Sequence, residues 1–497
     1  MNIAMLLQMA AETCPDRRGL TSHHRHYTYE ELFHRARVAA DLFRDSGCAH
    51  VSVLDVSSPA VPVALMGAAM AGVPYVPLNY RLTSQELDEL VDRIEPVYLI
   101  TDERHLGAYE DRDAVTAIHR DRFLELAADG SPSEEPWPED PSEIAVQLFT
   151  SGTTGKPKAA ILRHEHLVSY ILSTVEFMGA DEDQATLVSV PPYHIAGIAA
   201  VLSSVYACRR IVQLADFGAA AWLEMCEHEG VTNAFVVPTM LSRIIEHLDT
   251  VRHRPELPRL RAVAYGGGKM PVQVIERALD MFPHVDFTNA YGLTETSSTI
   301  ALLGPDDHRA AFQSSDPAER QRLGSVGQPL PSVELEIRDE SGRALGPNQP
   351  GEIYVRGSQV SGEYLERNAL DNDGWFPTRD AGYLDEAGFL YLSGRADDVI
   401  VRGGENISPA EIEDVLMTHE AVADAAAVGI PSKEWGETVA AAVVLKPGAE
   451  VKTSELQHLV KSALRSSRVP EQIRFEPELP YNETGKLLRR VVRQLFA

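Results

Sequence analysis

Short apolar runs rich in β-branched residues alternate with amphipathic stretches along most of the chain. The runs at 97–100, 145–149 and 235–237 have the pattern of buried strands, and stretches with helical periodicity lie between such runs. This alternation predicts strands covered by helices, the α/β fold class. The acidic, proline-rich segment 131–141 has no periodicity, so we expect it to be a surface connection.

The pattern changes after about residue 397. It predicts a helix at 409–418, strands at 422–429 and 438–446, a helix at 454–464 and a basic tail, which together fit a small α+β domain. A chain of 497 residues also exceeds what one compact core usually holds. We therefore expect a large N-terminal domain of several subdomains, residues 1–395, and a small C-terminal domain, residues 396–497.

Two segments without charged side chains, 59–78 and 185–208, are long enough to be candidate membrane spans. Prolines interrupt both, so we expect buried core segments and no membrane span. The first eight residues lack a basic leader and predict a helix, not a signal peptide. The four cysteines are too far apart for a disulfide framework or a metal knuckle, which favours the cytoplasm.

The charge balance limits the partners. The 45 basic and 73 acidic side chains give a net charge of −28, which disfavours general adhesion to nucleic acid or to an anionic membrane. A polyanionic ligand must therefore be bound by a local patch. The strings H-E-x-x-H, G-x-S-x-G and C-x-x-C are absent, so zinc hydrolysis, a serine nucleophile elbow and dithiol chemistry have no support.

The segment 149–158, Phe-Thr-Ser-Gly-Thr-Thr-Gly-Lys-Pro-Lys, directly follows an apolar run. Its hydroxyls, glycine backbone and lysines suit an oligophosphate. It is not a Walker loop, because the two glycines are three residues apart and a proline follows the first lysine. By itself this segment also fits a flexible surface loop.

Five further strings carry candidate chemistry. A glycine turn at 264–271 allows close backbone approach to a flat ligand, and 289–296 combines an aromatic ring, hydroxyls and a carboxylate suited to Mg²⁺. Segments 375–380 and 393–398 contain a carboxylate that suits ribose hydroxyls, and 191–197 contains a histidine among apolar residues. In isolation, the histidine also fits a satisfied core residue and the glycine turn an ordinary strand-to-helix connection.

Taken in order from Phe149 to Lys486, these strings resemble the adenylate-forming superfamily, which includes the acyl-CoA ligases, and the resemblance covers essentially the whole chain. It implies a nucleotide site made of Thr150, Ser151, Gly152, Thr153, Thr154, Lys158, Gly266, Gly267, Gly268, Asn289, Ala290, Tyr291, Gly292, Asp380 and Arg395. It implies catalytic roles for Lys486, His194, Thr294 and Glu295, with Glu295 as the Mg²⁺ ligand. The implied acyl pocket consists of Tyr193, His194, Gly197, Val236, Val237 and Gly266.

The resemblance also implies that the C-terminal domain is a mobile lid. It would pivot at Asp397, and Gly403, Gly404 and Glu405 would line a tunnel for coenzyme A. ATP, Mg²⁺ and coenzyme A are the implied cofactors and substrates. The implied reaction forms an acyl-AMP from a carboxylic acid and ATP, and a thiol then displaces AMP, each step with its own lid orientation.

Three functions remain open at this point. The absence of a carrier domain after Ala497 favours a ligase acting on coenzyme A, and the alternatives are loading of a carrier protein and a regulatory protein on a degenerate ligase scaffold. Retention of Lys486, Glu295 and Asp380 disfavours the last. A homodimer is compatible with the resemblance. The segment 233–237 lacks the aspartate typical of amino-acid activation, which favours a hydrophobic monocarboxylic acid. Small residues at 196, 197, 199, 266 and 268 suggest a roomy pocket for a medium-chain, alicyclic or polycyclic acid.

Arg379 departs from the family pattern. The usual Thr-Gly-Asp is here Thr378-Arg379-Asp380, which places a bulky cation beside the expected ribose carboxylate. Two hypotheses follow: the cation either crowds the ATP ribose and weakens adenylation, or points to solvent as a tolerated variant.

Overall fold

The computed structural model describes residues 1–496 except 23–24, 151–156, 252–254, 396–397, 403–404, 434 and 482–486; the side chains of Glu405 and Asn406 also lie outside the described part. The helices of the described chain are α1 (Ala4–Thr13), α2 (Tyr29–Ser46), α3 (Ala60–Ala71), α4 (Ser84–Val91), α5 (Glu103–Tyr109), α6 (Arg120–Asp129), α7 (His164–Thr174), α8 (Ile195–Tyr206), α9 (Ala219–His228), α10 (Pro238–Thr250), α11 (Val272–Met281), α12 (Pro305–Gln313), α13 (Pro317–Arg320), α14 (Pro409–Met417), α15 (Thr453–Ala463) and α16 (Arg489–Gln494).

The strands are β1 (Arg18–Ser22), β2 (Arg25–Thr28), β3 (His50–Leu54), β4 (Val97–Thr101), β5 (Val115–His119), β6 (Ile144–Thr150), β7 (Lys158–Arg163), β8 (Ala185–Val188), β9 (Arg210–Gln213), β10 (Asn233–Val236), β11 (Ala262–Gly266), β12 (Asp286–Leu293), β13 (Ser298–Leu303), β14 (Gln328–Pro329), β15 (Glu334–Arg338), β16 (Gly351–Arg356), β17 (Glu363–Tyr364), β18 (Arg367–Asn368), β19 (Phe376–Leu384), β20 (Leu390–Arg395), β21 (Ile400–Arg402), β22 (Glu405–Ile407), β23 (Val422–Ser432), β24 (Gly436–Leu445) and β25 (Gln472–Phe475).

Five sheets organise these strands. The largest has the order β14-β13-β12-β11-β10-β8-β9-β1-β2, and its central strands β12, β11, β10, β8 and β9 are parallel. The others are β18-β17-β7-β6, β15-β16-β19-β20, β3-β4-β5 and, near the C-terminus, β22-β21-β24-β23 with β25 beside β24. The α/β class is confirmed, and the apolar runs at 97–100, 145–149 and 235–237 fall on β4, β6 and β10.

Local sequence explains where several helices begin and end. Thr28 and Glu31 form a capping box at the start of α2, and Gly47 ends that helix in the left-handed conformation with φ 68°. The uncharged window 59–78 forms α3, whose residues are almost all buried, and the window 185–208 forms β8 and α8. Within the described residues, no helix has both the length and the apolar character needed to cross a bilayer.

Residues from Ile400 onwards form a sheet with a core of their own. On one face α14 and α15 bury Ile412, Leu416 and Val460 against the sheet, and on the other face α16 buries Val492. The predicted strands and helices of this region are present, but the hairpin β21–β22, β25 and α16 were not predicted. The basic tail is partly structural, since Arg489 donates to both carboxylate oxygens of Glu413 and to the carbonyl of Ala427.

Candidate active site

The site lies at the carboxyl ends of adjacent parallel strands. β10 ends at Val236, β11 at Gly266 and β12 at Leu293, and the three strands pair in this order. Ligands in open α/β sheets bind at this edge, because loops from neighbouring strands converge there. Of the predicted acyl-pocket residues, Val236 is buried here and Val237 directly follows it.

The glycine turn at the end of β11 requires glycine. A side chain at Gly266 would place its Cβ 2.2 Å from the carbonyl oxygen of Ala290, and Gly267 has φ +81°. Gly292 on β12 is equally restricted, because its Cβ would lie 1.7 Å from the carbonyl oxygen of Ser298. Gly268 completes the turn. The strand ends therefore present bare backbone, which suits a flat base such as adenine.

The side chains of Tyr291 on β12 and Asp380 on β19 are in contact, although the two strands belong to different sheets. The hydroxyl of Tyr291 donates to Oδ2 of Asp380 at 2.7 Å, and Arg395 Nη1 lies 3.2 Å from Oδ1. Burial and the Asp380 carboxylate raise the pKa of Tyr291, so its hydroxyl stays a donor. Asn289, two residues earlier on β12, donates to the carbonyl of Ser325 at 3.0 Å.

A bulge in β19 positions the Asp380 carboxylate. Three residues, 378–380, lie opposite the single residue Ile353 of β16. Thr378 Oγ1 donates to the Ile353 carbonyl at 2.8 Å and accepts from the Asp380 backbone N–H at 3.1 Å, while Arg395 donates to the Thr378 carbonyl at 3.0 Å. Thr378 therefore supports the position of the Asp380 carboxylate. The sequence motif contains Thr378, but no role was predicted for it.

Arg379 lies at the crest of this bulge. It has φ +62°, a conformation that favours glycine, and its side chain is 61% exposed. Its Nε lies 3.8 Å from Oε1 of Glu352 on β16. The guanidinium is therefore directed to Glu352 and solvent, which supports the hypothesis of a tolerated variant over that of a crowded ribose.

Glu295 lies in the short 3₁₀ turn Thr294–Thr296 that follows β12. Its backbone carbonyl accepts from the N–H groups of Ser361 and Gly362 at 2.9 and 3.2 Å. Its side chain is largely buried, and Oε1 accepts from the hydroxyl of Tyr364 at 2.6 Å. Thr294 precedes it and is half-buried. Tyr364 was not predicted, since nothing in the local sequence marks a contact 69 residues away.

Glu295 can hold Mg²⁺. Within the described part of the chain, Oε2 accepts no hydrogen bond, and no group of three or more histidine, cysteine, aspartate or glutamate side chains could enclose a metal. Mg²⁺ bound together with a triphosphate commonly uses one or two carboxylates, with phosphate oxygens and water as its other ligands. A single buried carboxylate with one available oxygen fits that requirement.

The predicted phosphate loop joins β6 to β7. Thr150 pairs with Lys158 across the hairpin, and the Thr150 hydroxyl lies 3.4 Å from the Lys158 carbonyl. The predicted residues Ser151, Gly152, Thr153 and Thr154 lie outside the described residues. Lys158 Nζ lies 6.0 Å from the centre of the Tyr364 ring, which brings this lysine close to the partner of Glu295.

His194 is the N-cap residue of α8, and Tyr193 packs beside it with ring centres 4.5 Å apart. The His194 Nε2 atom is buried and has no hydrogen-bond partner among the residues that the structure describes. Burial, together with the charge of Arg81, lowers the pKa of His194 to about 4, so the imidazole is neutral near pH 7. A Cβ at Gly197 would lie 2.9 Å from the Pro191 carbonyl, which ties α8 closely to this loop.

The C-terminal part contacts the site from α14. Lys269, directly after the glycine turn, forms an ion pair with Asp414, and Gln273 donates to the Met417 carbonyl at 3.2 Å. Ser408 also donates to the Ser393 carbonyl at 2.8 Å. Four predicted residues of this region, Asp397, Gly403, Gly404 and Lys486, lie outside the described residues, and only the backbone of Glu405 is described, on β22.

A cavity of about 510 Å³ opens on this C-terminal part. Its lining includes Arg402, His458 and Lys461, and Arg402 immediately precedes the predicted coenzyme A tunnel. Arg402 also forms an ion pair with Glu471 at 2.6 Å. The cavity therefore combines basic and hydroxyl side chains next to the predicted path of a thiol substrate.

The chain is similar to known proteins over nearly its whole length. The AMP-binding enzyme family matches residues 7–365, and its C-terminal domain matches residues 411–486. A 2-succinylbenzoate–CoA ligase of Bacillus licheniformis is 31% identical over 490 residues, covering 97% of this chain and 98% of the relative.

Two solved structures are similar over nearly the whole chain. One is o-succinylbenzoate CoA synthetase (MenE) of Bacillus subtilis in complex with the acyl-adenylate intermediate OSB-AMP, with a TM-score of 0.84, 31% identity and coverage of 98% of this chain and 97% of that one. The other is the amide bond synthetase McbA of Marinactinospora thermotolerans, with a TM-score of 0.88, 28% identity and 99% coverage of both chains.

Proposed function

Because this chain belongs to the family of AMP-binding enzymes, we propose that it joins 2-succinylbenzoate, or an acid closely related to it, to coenzyme A. The chain is an ATP-dependent, AMP-forming acid–CoA ligase of the adenylate-forming superfamily. Its substrates are a carboxylic acid, ATP with Mg²⁺, and coenzyme A. One observation carries the proposed site: Asp380, the glycine turn after β11 and Glu295 all lie beside the end of β12.

In the first half-reaction, a carboxylate oxygen attacks the α-phosphorus of ATP, and pyrophosphate leaves. We propose that Asp380 accepts hydrogen bonds from the ribose hydroxyls and that the glycine turn contacts adenine. Thr294 would donate to the α-phosphate, and Mg²⁺ on Glu295 would neutralise charge on the phosphates. Lys486 would bring its ammonium to the same charge, as the sequence predicts. Since carboxylate oxygen is a poor leaving group, this step makes the acyl carbon reactive.

In the second half-reaction, the sulfur of coenzyme A attacks the acyl carbonyl, and AMP leaves. We propose that the C-terminal domain, from residue 396 onwards, turns about Asp397 between the two steps and presents the Gly403–Gly404 loop to the thiol. The ion pair of Lys269 with Asp414 on α14 supports such a movement, because both side chains are partly exposed and such a pair costs little to break. The basic cavity beside Arg402 is the proposed position for the phosphates of coenzyme A.

The choice of acid rests on the relatives and on one local charge. 2-Succinylbenzoate has two carboxylates, so its site needs a positive group besides those that act on the reacting carboxylate. Burial and, after it, the charge of Arg81 lower the pKa of His194, so Arg81 is a cation near the proposed acyl pocket and is our candidate for contact with the second carboxylate. A hydrophobic monocarboxylic acid is the alternative, and it would leave Arg81 without a role in binding.

A panel of acids tests this proposal. It includes 2-succinylbenzoate, 4-oxo-4-phenylbutanoate, which lacks the ring carboxylate, and medium-chain and alicyclic acids. Pyrophosphate release and acyl-CoA formation are scored separately. We expect the highest kcat/KM for 2-succinylbenzoate in both assays. A higher value for a monocarboxylic acid would contradict the choice of acid, and acyl-AMP turnover without acyl-CoA would contradict coenzyme A as the acceptor.

An amine is the second candidate acceptor. The similarity to an amide bond synthetase over 99% of both chains supports testing it. Replacing coenzyme A by a panel of primary amines in the same assay distinguishes amide from thioester products. A carrier protein as acceptor, a homodimer and a cytoplasmic location stay predictions from the sequence.

A further inference from the structure

Tyr364 connects two parts of the phosphate site. It lies on the two-residue strand β17 and pairs with Ala160 of β7, the strand that leaves the phosphate loop. Its hydroxyl donates to Oε1 of Glu295 at 2.6 Å, and its ring lies 6.0 Å from the Lys158 ammonium. One side chain therefore contacts the proposed metal carboxylate and the last lysine of the phosphate loop.

The contact with Tyr364 gives the two carboxylate oxygens of Glu295 different surroundings. Oε1 is occupied by the Tyr364 hydroxyl, whereas Oε2 accepts no hydrogen bond from the described residues. The backbone of Glu295 is fixed by Ser361 and Gly362, so the tyrosine acts on the side chain alone.

The position of Tyr364 does not depend on its hydroxyl. Its neighbour Glu363 forms a two-bond ion pair with Arg163 of β7, with distances of 2.7 and 2.9 Å. Together with the backbone pairing of β17 to β7, this ion pair holds the short strand in place. Removing the hydroxyl should therefore leave the fold and the ring contact with Lys158 intact.

We propose that Tyr364 is a positioning residue for Mg²⁺: its hydroxyl holds Oε1 of Glu295 and leaves Oε2 as the oxygen that ligates the metal. This inference rests on the proposed role of Glu295. Groups that hydrogen-bond to a metal ligand fix its orientation, and their loss typically lowers metal affinity about 10- to 100-fold. Among the described residues Glu295 is the one proposed protein ligand, so its orientation carries more weight than it would in a site with several carboxylates.

The test compares Tyr364→Phe with wild type by calorimetry, using α,β-methylene-ATP as the probe at a series of Mg²⁺ concentrations. In wild type, Mg²⁺ should strengthen binding of this analogue. In Tyr364→Phe, the Mg²⁺ concentration for half of this gain should rise about 10-fold. Binding without Mg²⁺ should stay within about 2-fold of wild type, because the variant still has the ring beside Lys158.

Two further variants distinguish an error in the metal role of Glu295 from an error in the positioning role of Tyr364. Tyr354→Phe removes a hydroxyl from a ring that packs against Arg338 at 4.5 Å, and its Mg²⁺ response should equal that of wild type. Glu295→Gln should abolish the gain from Mg²⁺. If Glu295→Gln keeps that gain, the proposed metal ligand is wrong. If Glu295→Gln loses it while Tyr364→Phe responds as wild type does, the positioning role of Tyr364 alone is overturned.

Discussion

The ammonium of Lys269 lies 2.7 and 2.8 Å from the two carboxylate oxygens of Asp414. Lys269 directly follows the glycine turn of the proposed nucleotide site, and Asp414 is on the first helix of the C-terminal part. Their ion pair therefore links the proposed nucleotide site directly to the C-terminal domain, for which we propose a rotation between the two half-reactions.

This link should influence the balance between lid orientations and hardly affect stability. Both side chains are about half exposed, and such pairs typically contribute about 0.2–1 kcal/mol. Asp414→Ala should therefore change the ratio of the two half-reaction rates by up to about 5-fold. The charge exchange Lys269→Asp with Asp414→Lys should restore the ratio. Equal slowing of both half-reactions in Asp414→Ala would contradict a role in lid orientation.

Arg379→Gly should stabilise the protein without improving adenylation. The native φ of +62° is strained for arginine, so glycine should raise the free energy of unfolding by up to about 1 kcal/mol. Pyrophosphate release should stay within about 3-fold of wild type, since the guanidinium is directed to Glu352. Arg379→Ala is the matched control, because it removes the guanidinium and keeps the strain. A large gain in pyrophosphate release in both variants would revive the crowded-ribose hypothesis.

Lys486→Ala should slow acyl-AMP formation about 100- to 1,000-fold, the typical cost of removing a group that stabilises transition-state charge. Thioester formation from supplied acyl-AMP should be spared, because we propose that the ammonium acts in the adenylation orientation only. Arg490→Ala removes an exposed cation four residues away and should leave both steps unchanged. Equal loss of both steps in Lys486→Ala would indicate a structural tail.

Lys461→Ala tests the basic cavity as the site for the phosphates of coenzyme A. Loss of one cation from this cavity should raise KM for coenzyme A by about 3- to 10-fold, the usual weight of a partly exposed charge contact. KM for pantetheine, which lacks the nucleotide, should not change. Lys452→Ala, at an exposed lysine outside the cavity lining, is the control. An equal rise for both thiols would place the nucleotide elsewhere.

Acid should destabilise the fold through His308. Its Nε2 accepts from the Tyr265 hydroxyl at 2.8 Å, and burial lowers its pKa to about 4. The unfolded chain, with a histidine pKa near about 6.5, binds the proton first, so stability is lost as pH falls from about 6.5 towards 4. At pH 5 this loss is about 2 kcal/mol for one such histidine.

Denaturant unfolding of His308→Gln at pH 7 and pH 5 measures this effect. The variant should be less stable at pH 7, because the hydrogen bond with Tyr265 is changed, but it should lose less stability on going to pH 5. His164 and His194, also with pKa values lowered by burial to about 4, act in the same direction and should keep part of the slope. His228→Gln, at an exposed position, should follow wild type. An unchanged pH slope in His308→Gln would contradict the assignment.

The sequence by itself determined the fold class, the order of the motifs and the residue types at the site. Strand and helix periodicity are local properties, so the alternation of strands and helices could be predicted from the sequence. The glycines at 266, 267 and 292 were readable for a related reason, since glycine alone tolerates the close backbone approaches that the structure shows there.

Only the tertiary structure decided which side chains meet. The contacts of Glu295 with Tyr364 and of Tyr291 with Asp380 join residues 69 and 89 positions apart that lie on or next to strands of different sheets, so the packing of one sheet beside another sets both. The same holds for Arg379, because the bulge in β19 turns its side chain towards Glu352. A one-residue difference in register would reverse the faces of these side chains, and register depends on packing across the whole sheet, which no local pattern encodes.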